Sequence, residues 1–272
     1  MRRLTILLLS LAATAAPVAA TGCGADDVNP DALAQAADAT RGKGTMHMTL
    51  GGTVEAQGQT IPMKGEGDAD LKRKRVHITA TTAGQEVETI LVDTTMYMRM
   101  PGFEDAFGAE WAKIDMAAAG KEMGIDFEQM MQLSSADPAK QLEYLNATSD
   151  LEKVGEEEVD GVTTTHYKGE TDLRRYPDAL PPEEREKARE SIENTIELSG
   201  SPIIPMEVWI DDDDLVRRQK MTIEQKKPME MTMNMDMRFS DFGKPVDIEA
   251  PKDAKDVTDL ATQGIRQGQA GG

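Results

Sequence analysis

The sequence predicts an α+β fold built on one large antiparallel sheet, and three observations carry that reading. From Met229 to Phe239 apolar and polar residues alternate strictly. That period of two puts Met229, Met231, Met233, Met235, Met237 and Phe239 on one face of a strand, whereas a helix would scatter them around its circumference. Between Thr45 and Met100 five strand-like segments follow one another through short turns, the pattern of an antiparallel meander. Asp160-Gly161 stands between two extended runs, a strong hairpin signal.

The elements follow in order. Residues 1–22 contain no Asp or Glu, open with Met1-Arg2-Arg3, continue through Leu4-Thr5-Ile6-Leu7-Leu8-Leu9 and end on small residues before Cys23. A basic start, an apolar centre and a small-residue end make a secretory signal peptide. Ala19-Ala20-Thr21-Gly22-Cys23 resembles the lipobox of bacterial lipoproteins, with Ala20 in place of the usual Leu. The resemblance implies cleavage before Cys23, a diacylglycerol thioether on its sulfur, and acylation of the new amine by a chain of the palmitate type. Arg2-Arg3 lacks the polar surroundings of twin-arginine export, so the general secretory route is expected. Residues 23–30 then form a short acidic tether. A single domain spans 31–262, and 263–272 is a Gly- and Gln-rich disordered tail.

Within the domain, Asn29-Pro30-Asp31 opens a helix of good helix formers that Arg41-Gly42-Lys43-Gly44 closes. Strands are expected from Thr45 to Ala56 with a bend at Gly51-Gly52, from Thr60 to Leu71, Val76 to Ala80, Glu86 to Val92, and Met96 to Met100. Phe103 to Tyr144 has apolar residues at spacings of three and four, interrupted by Gly and Ala, which reads as short helices laid over the sheet. A hairpin follows from Leu151 to Leu173. Pro181-Pro182 opens a charged helix to about Leu198. The last third is β again: Ile203 to Ile210, the turn Asp211-Asp212-Asp213-Asp214, Leu215 to Gln225, and the Met ladder. Pro245 to Pro251 is expected to be extended.

Composition narrows the function. Removing Arg2 and Arg3 from the 30 basic residues leaves 28 against 49 acidic ones, a formal charge of −21 for the mature chain. Nucleic acid is excluded as a partner by repulsion, and anionic lipid surfaces are disfavoured. Solubility alone also accounts for such a charge. No second apolar run reaches the ~20 residues that span a bilayer. Cys23 is the one cysteine, so no disulfide staples the fold and the domain stands on its core.

No catalytic constellation is visible, and the protein is not expected to be an enzyme. His47, His77 and His166 each sit in a strand pattern without the spacing of a triad or a metal site, and read as surface or hydrogen-bonded strand positions. No nucleophile elbow, P-loop or dinucleotide fingerprint is present; no cofactor and no metal is predicted. Asp211–Asp214 is contiguous, which suits a solvated turn better than a calcium loop with its spaced oxygens.

Methionine is the informative residue type. Seventeen of the 18 Met lie in the mature chain, against 11 Phe, Tyr and Trp together. Met is flexible and polarizable and suits surfaces that take apolar ligands of varied shape. Met46, Met48, Met96, Met98, Met229, Met231, Met233, Met235 and Met237 are therefore the candidate lining of an apolar cavity. The same residues also suit a filled core, because any one-sided sheet needs an apolar face.

Val154-Gly155-Glu156-Glu157-Glu158-Val159-Asp160-Gly161-Val162-Thr163-Thr164-Thr165-His166-Tyr167-Lys168-Gly169 resembles the central hairpin of the actinobacterial LppX/LprA/LprF/LprG lipoproteins. Pro205-Met206-Glu207-Val208-Trp209-Ile210-Asp211 with Leu215-Val216-Arg217-Arg218 resembles their later hairpin, and Met96-Tyr97-Met98 followed by Trp111 fits as well. The resemblance implies a curved half-barrel with helices on its concave face, akin to the LolA and LolB carriers. It also implies a lipid or acylated glycolipid in an apolar cavity, carried or presented at the extracytoplasmic face of the cell membrane, with envelope transport proteins as partners. The alternative is an extracytoplasmic interaction or sensor lipoprotein with a filled core and no lipid cargo.

Overall fold

The structure is a computed structural model and describes residues 30–122, 149–179, 182, 185–226 and 230–263. Signal peptide, Cys23, most of the tether, residues 123–148 of the expected helical insert, Met229 and residues 264–272 lie outside the described residues.

Helix α1 (Pro30–Lys43) leads into β1 (Thr45–Ala56), β2 (Gln59–Asp70), β3 (Arg75–Thr82), β4 (Gln85–Val92) and β5 (Thr95–Arg99). Then come α2 (Phe103–Phe107), β6 (Trp111–Asp115) and α3 (Met116–Glu122). The second half holds β7 (Ser149–Val159), β8 (Val162–Asp172), a 3₁₀ segment (Leu173–Ala179), α4 (Arg185–Ser199), β9 (Ile203–Asp211), β10 (Val216–Gln225), β11 (Met231–Ser240) and β12 (Ala254–Asp256). A last helical turn covers 258–263.

The strands form one open sheet in the order β12-β6-β5-β4-β3-β2-β1-β11-β10-β9-β8-β7. Two meanders, β1–β6 and β7–β11, stand side by side, and the long pairing of β1 with β11 welds them. Every neighbouring pair is antiparallel except β12 with β6. At the β7–β8 hairpin Asp160 and Gly161 both take positive φ, 50° and 81°. This is the left-handed pair that a tight two-residue turn demands.

Three expectations change. Trp111–Asp115 lies inside the stretch read as helical, yet it pairs with Thr95–Met98 as β6. Five residues give too short a window for period two to outweigh the surrounding spacing of three and four, and the free edge of β5 supplies the hydrogen bonds that decide it. β12, at Ala254–Asp256, lies beyond the segment expected to be extended and pairs in parallel with β6. Leu173, expected to end a strand, instead opens the 3₁₀ segment that runs to Ala179.

Paired residues of antiparallel strands share a face, so the register sorts the sheet into two sides. One is apolar. Its core joins Met46, Ala69, Leu151, Met206, Val208, Ile210, Val216, Met221, Met237 and Phe239 with Ala36 of α1. Ala188 and Ile192 of α4 pack with Leu173 and Tyr176, and Ile204 of β9 joins them. Helices α1 and α4 therefore both cover the apolar side. Three strand glycines also belong to this side. A Cβ at Gly52 would lie 2.1 Å from the Asn234 carbonyl oxygen, at Gly67 2.0 Å from that of His77, and at Gly65 2.8 Å from that of Thr79. Glycine inside a strand marks a tight bend or a close backbone approach. Here the neighbouring backbone closes on the apolar side, which makes that side concave.

Candidate functional site: the methionine face

The described candidate residues come from three strands, β1, β5 and β11, and the register brings them all onto the concave face. Met48 stands opposite Phe239, Leu50 opposite Met237, Gly52 opposite Met235, Val54 opposite Met233 and Ala56 opposite Met231. Met46 continues through Ala69, Val76 and Leu91 to Met96 in one row across the sheet. The next row runs from Met48 through Gly67, Ile78 and Thr89 to Met98. On the other flank of β11, Met221 stands opposite Met235 and Met206 opposite Met221. Of the nine predicted methionines, Met229 alone falls outside the described residues.

Burial grades along the face. Met46 and Met237 are sealed in the core, at 1% and 7% exposed. Met48 and Met235 are half-buried and packed against that core. Met96, Met98, Met231 and Met233 are half-buried as well. Towards the far ends of β10 and α4 the face opens, with Ile223 38% and Leu198 51% exposed. The Lys226 amide donates to the Leu198 carbonyl, which ties the end of α4 to the end of β10. The surface an apolar ligand can reach is thus the half-buried part, with Met46 and Met237 as its floor. Met206 and Met221 were missed by the sequence reading. Their signal was the alternation Met206, Val208, Ile210, which repeats on β9 the period that singled out β11.

The opposite face is polar and holds all three histidines. His47 Nδ1 lies 2.9 Å from Asp68, and His77 Nε2 2.7 Å from Glu88. His166 lies between two carboxylates, Nδ1 3.0 Å from Glu157 and Nε2 2.8 Å from Glu207. Its ring stacks on Trp209 with centroids 4.2 Å apart and planes 7° from parallel. Trp209 Nε1 donates to Glu157 at 2.9 Å, and that hydrogen bond leads the causes holding the Glu157 carboxyl below its ordinary range. These contacts hold β7, β8 and β9 together. They place no hydroxyl or thiol nucleophile in line with an imidazole. Asp211 accepts from the Asp213 and Leu215 amides at 3.0 and 2.8 Å and from Arg217 Nε at 2.5 Å, so the four-Asp run is the β9–β10 turn with its first carboxylate inside. Among the described residues no group of three or more His, Cys, Asp or Glu is arranged to hold a metal ion.

The LppX_LprAFG lipoprotein family model matches residues 29–248. The chain belongs to the LppX/LprAFG lipoprotein family. The match runs from the start of α1 to beyond β11 and takes in both meanders, so the Met face lies wholly within the family region. The family is one of envelope lipoproteins. A curated relative, an uncharacterized 31.2 kDa protein of the rplA-rplJ intergenic region of Streptomyces griseus, is 27% identical over 162 residues, 58% of this chain. The chain spans about half the length of that relative, 51%. The crystal structure of the Mycobacterium tuberculosis lipoprotein LppX is 16% identical, with coverage of 81% of this chain and 100% of that one and a TM-score of 0.49. LprF from Mycobacterium bovis is 14% identical, with coverage of 82% and 97% and a TM-score of 0.42. Membership of the family rests on the sequence match, and the structural likenesses are too distant to add to it.

Proposed function

We propose that this protein is a membrane-anchored extracytoplasmic lipoprotein that holds a lipid or acylated glycolipid against its Met face and carries or presents it within the cell envelope. One observation supports this reading above the others. Methionines from β1, β5, β9, β10 and β11 share a single concave face, and that face grades from sealed core to half-exposed surface. Binding is driven by removing acyl methylenes from water, about 0.8 kcal/mol each. Flexible thioethers adapt to chains of different length and saturation. Cys23 supplies the anchor, and two or three acyl chains there hold far more firmly than one.

Met233→Trp tests the reading. Met233 is half-buried and lies near the start of β11, opposite Val54 and Ile223. An indole there occupies the space of an acyl chain, so lipid binding falls while the melting temperature holds or rises. In a filled core the same change overpacks and costs about 1–3 kcal/mol. A lower melting temperature, in a protein whose wild type binds no lipid, returns the face to a purely structural role.

A further inference from the structure

One row of the apolar face is lined with sulfur. The register runs it from Met63 on β2 through Gly52 on β1, Met235 on β11 and Met221 on β10 to Met206 on β9. Met63 and Met235 are half-buried, while Met221 and Met206 are 7% and 5% exposed. Met206 Sδ accepts from Gln219 Nε2 at 3.7 Å, so its sulfur is committed to the core.

Two features set this row apart from ordinary core. The first is the bare position inside it. A Cβ at Gly52 would lie 2.1 Å from the Asn234 carbonyl oxygen, so no side chain stands between Met63 and Met235. Their Cα atoms are two strands apart, roughly 10 Å. The face is concave, so the tips of the two side chains stand closer together than the Cα atoms, and one bridging ion closes the gap. Met221 faces Met235 directly. Directly opposed residues hold their Cβ atoms about 5 Å apart, which brings a third sulfur to the same place. The second feature is the choice of residue. Strands favour β-branched and aromatic side chains, and leucine or valine would seal an apolar row as well as methionine does. A flexible lipid-binding surface accounts for methionine anywhere on the face, but not for thioethers gathered around a bare glycine. Sulfur adds a lone pair on a soft, polarizable atom. Neutral thioethers suit a soft cation such as Cu(I), whereas calcium and magnesium take oxygen ligands and zinc takes thiolate, imidazole or carboxylate. With 49 acidic residues against 30 basic ones, the chain as a whole attracts a cation.

We infer that this row binds a soft monovalent metal ion of the Cu(I) class. The ion is held between Met63 and Met235 above Gly52, with Met221 as the third ligand. Binding is coordination without electron transfer: sulfur lone pairs replace the ion's solvent ligands, and no bond in the protein breaks. The site needs sulfur atoms rather than apolar area, so it stands or falls independently of the lipid reading.

Calorimetric titration of the full chain with Ag(I) in chloride-free buffer tests it, because Ag(I) is a soft monovalent ion that needs no reductant. Every protein titrated carries Cys23→Ala, since a free thiol would bind the same ion. The expected result is one tightly bound ion per chain and a melting temperature raised by Ag(I), with neither effect from Zn(II). Met63→Leu and Met235→Leu keep the apolar volume and remove the sulfur. Each weakens Ag(I) binding by at least about tenfold, the loss that even an outer-shell partner of a metal causes. Met96→Leu/Met98→Leu leaves binding unchanged. Should the leucine variants unfold, peroxide footprinting of the Cys23→Ala chain decides. Bound Ag(I) is expected to protect Met63 and Met235 from conversion to the sulfoxide, read by peptide mass. Absence of tight Ag(I) binding overturns the inference, as does equal binding of Zn(II) or binding that survives both leucine variants. Equal oxidation of Met63 and Met235 with and without the ion overturns it as well.

Discussion

Arg218 shows how much of the molecule turns on single charged side chains between strands. Its guanidinium forks onto Asp236 of β11 and lies 4.8 Å over Trp209 of β9. Burial alone would raise the Asp236 carboxyl, but the hydrogen bonds from Arg218 outweigh it and hold the group below its ordinary 3.8. Glu88 behaves likewise: burial raises it, Arg99 and His77 pull it back further, and it ends below its ordinary 4.5. A carboxyl lowered in the folded state binds its proton less readily there than in the unfolded chain. Its stabilisation is therefore complete above the ordinary carboxylate range and is lost as pH falls through the folded value. Unfolding stability should accordingly drop below about pH 4. Arg218→Gln should remove about 1–2 kcal/mol at neutral pH and flatten that acid slope, as measured by urea denaturation at several pH values. An unchanged slope would show that the pair contributes nothing. The sequence placed the histidines in strands as hydrogen-bonded positions. It did not reveal that His166 sits between two carboxylates, because Glu157 and Glu207 lie 9 and 41 residues away and meet it only through register.

At the scale of elements, periodicity made most of the sheet legible and the glycines decided its curvature. The strict alternation on β11 and the turn pair at Asp160-Gly161 located strands to within a few residues. Gly51-Gly52 was legible as a bend, but nothing in the pattern of residues separates their roles. Gly52 and Gly67 press against neighbouring backbone, while a Cβ at Gly51 would make only an ordinary contact, 3.9 Å from the Asp236 carbonyl oxygen. Gly67→Ala therefore forces the His77 carbonyl away from a Cβ that would stand 2.0 Å from it, and should cost about 2 kcal/mol or more. Thermal unfolding that shows no loss would mean that the curvature of β2 tolerates a side chain there. β6 was illegible for a different reason. Its five residues carry no pattern of their own, and the strand exists because β5 and β12 pair with it on either side.

At the scale of the whole molecule, an acidic, polar-backed sheet presents one apolar concave face, and the anchor proposed at Cys23 keeps that face near a membrane. The apolar face was legible as a set of methionines. Whether they fill a core or line a surface was not, since both need the same alternation, and only the gradient from Met46 to Ile223 separates the two ends. Cys23→Ala should release the protein from the membrane fraction or leave an uncleaved precursor, read by fractionation and intact mass. A variant that stays bound and normally processed would remove the anchor from the account. The central claim, a lipid held on the Met face, is tested most directly by native mass spectrometry of the full-length protein extracted from its own membranes. The account predicts a folded species whose mass exceeds that of the acylated chain by one lipid, and loss of that increment in Met233→Trp. A wild-type protein that flies bare from native membranes, with Met233→Trp merely less stable, would contradict it.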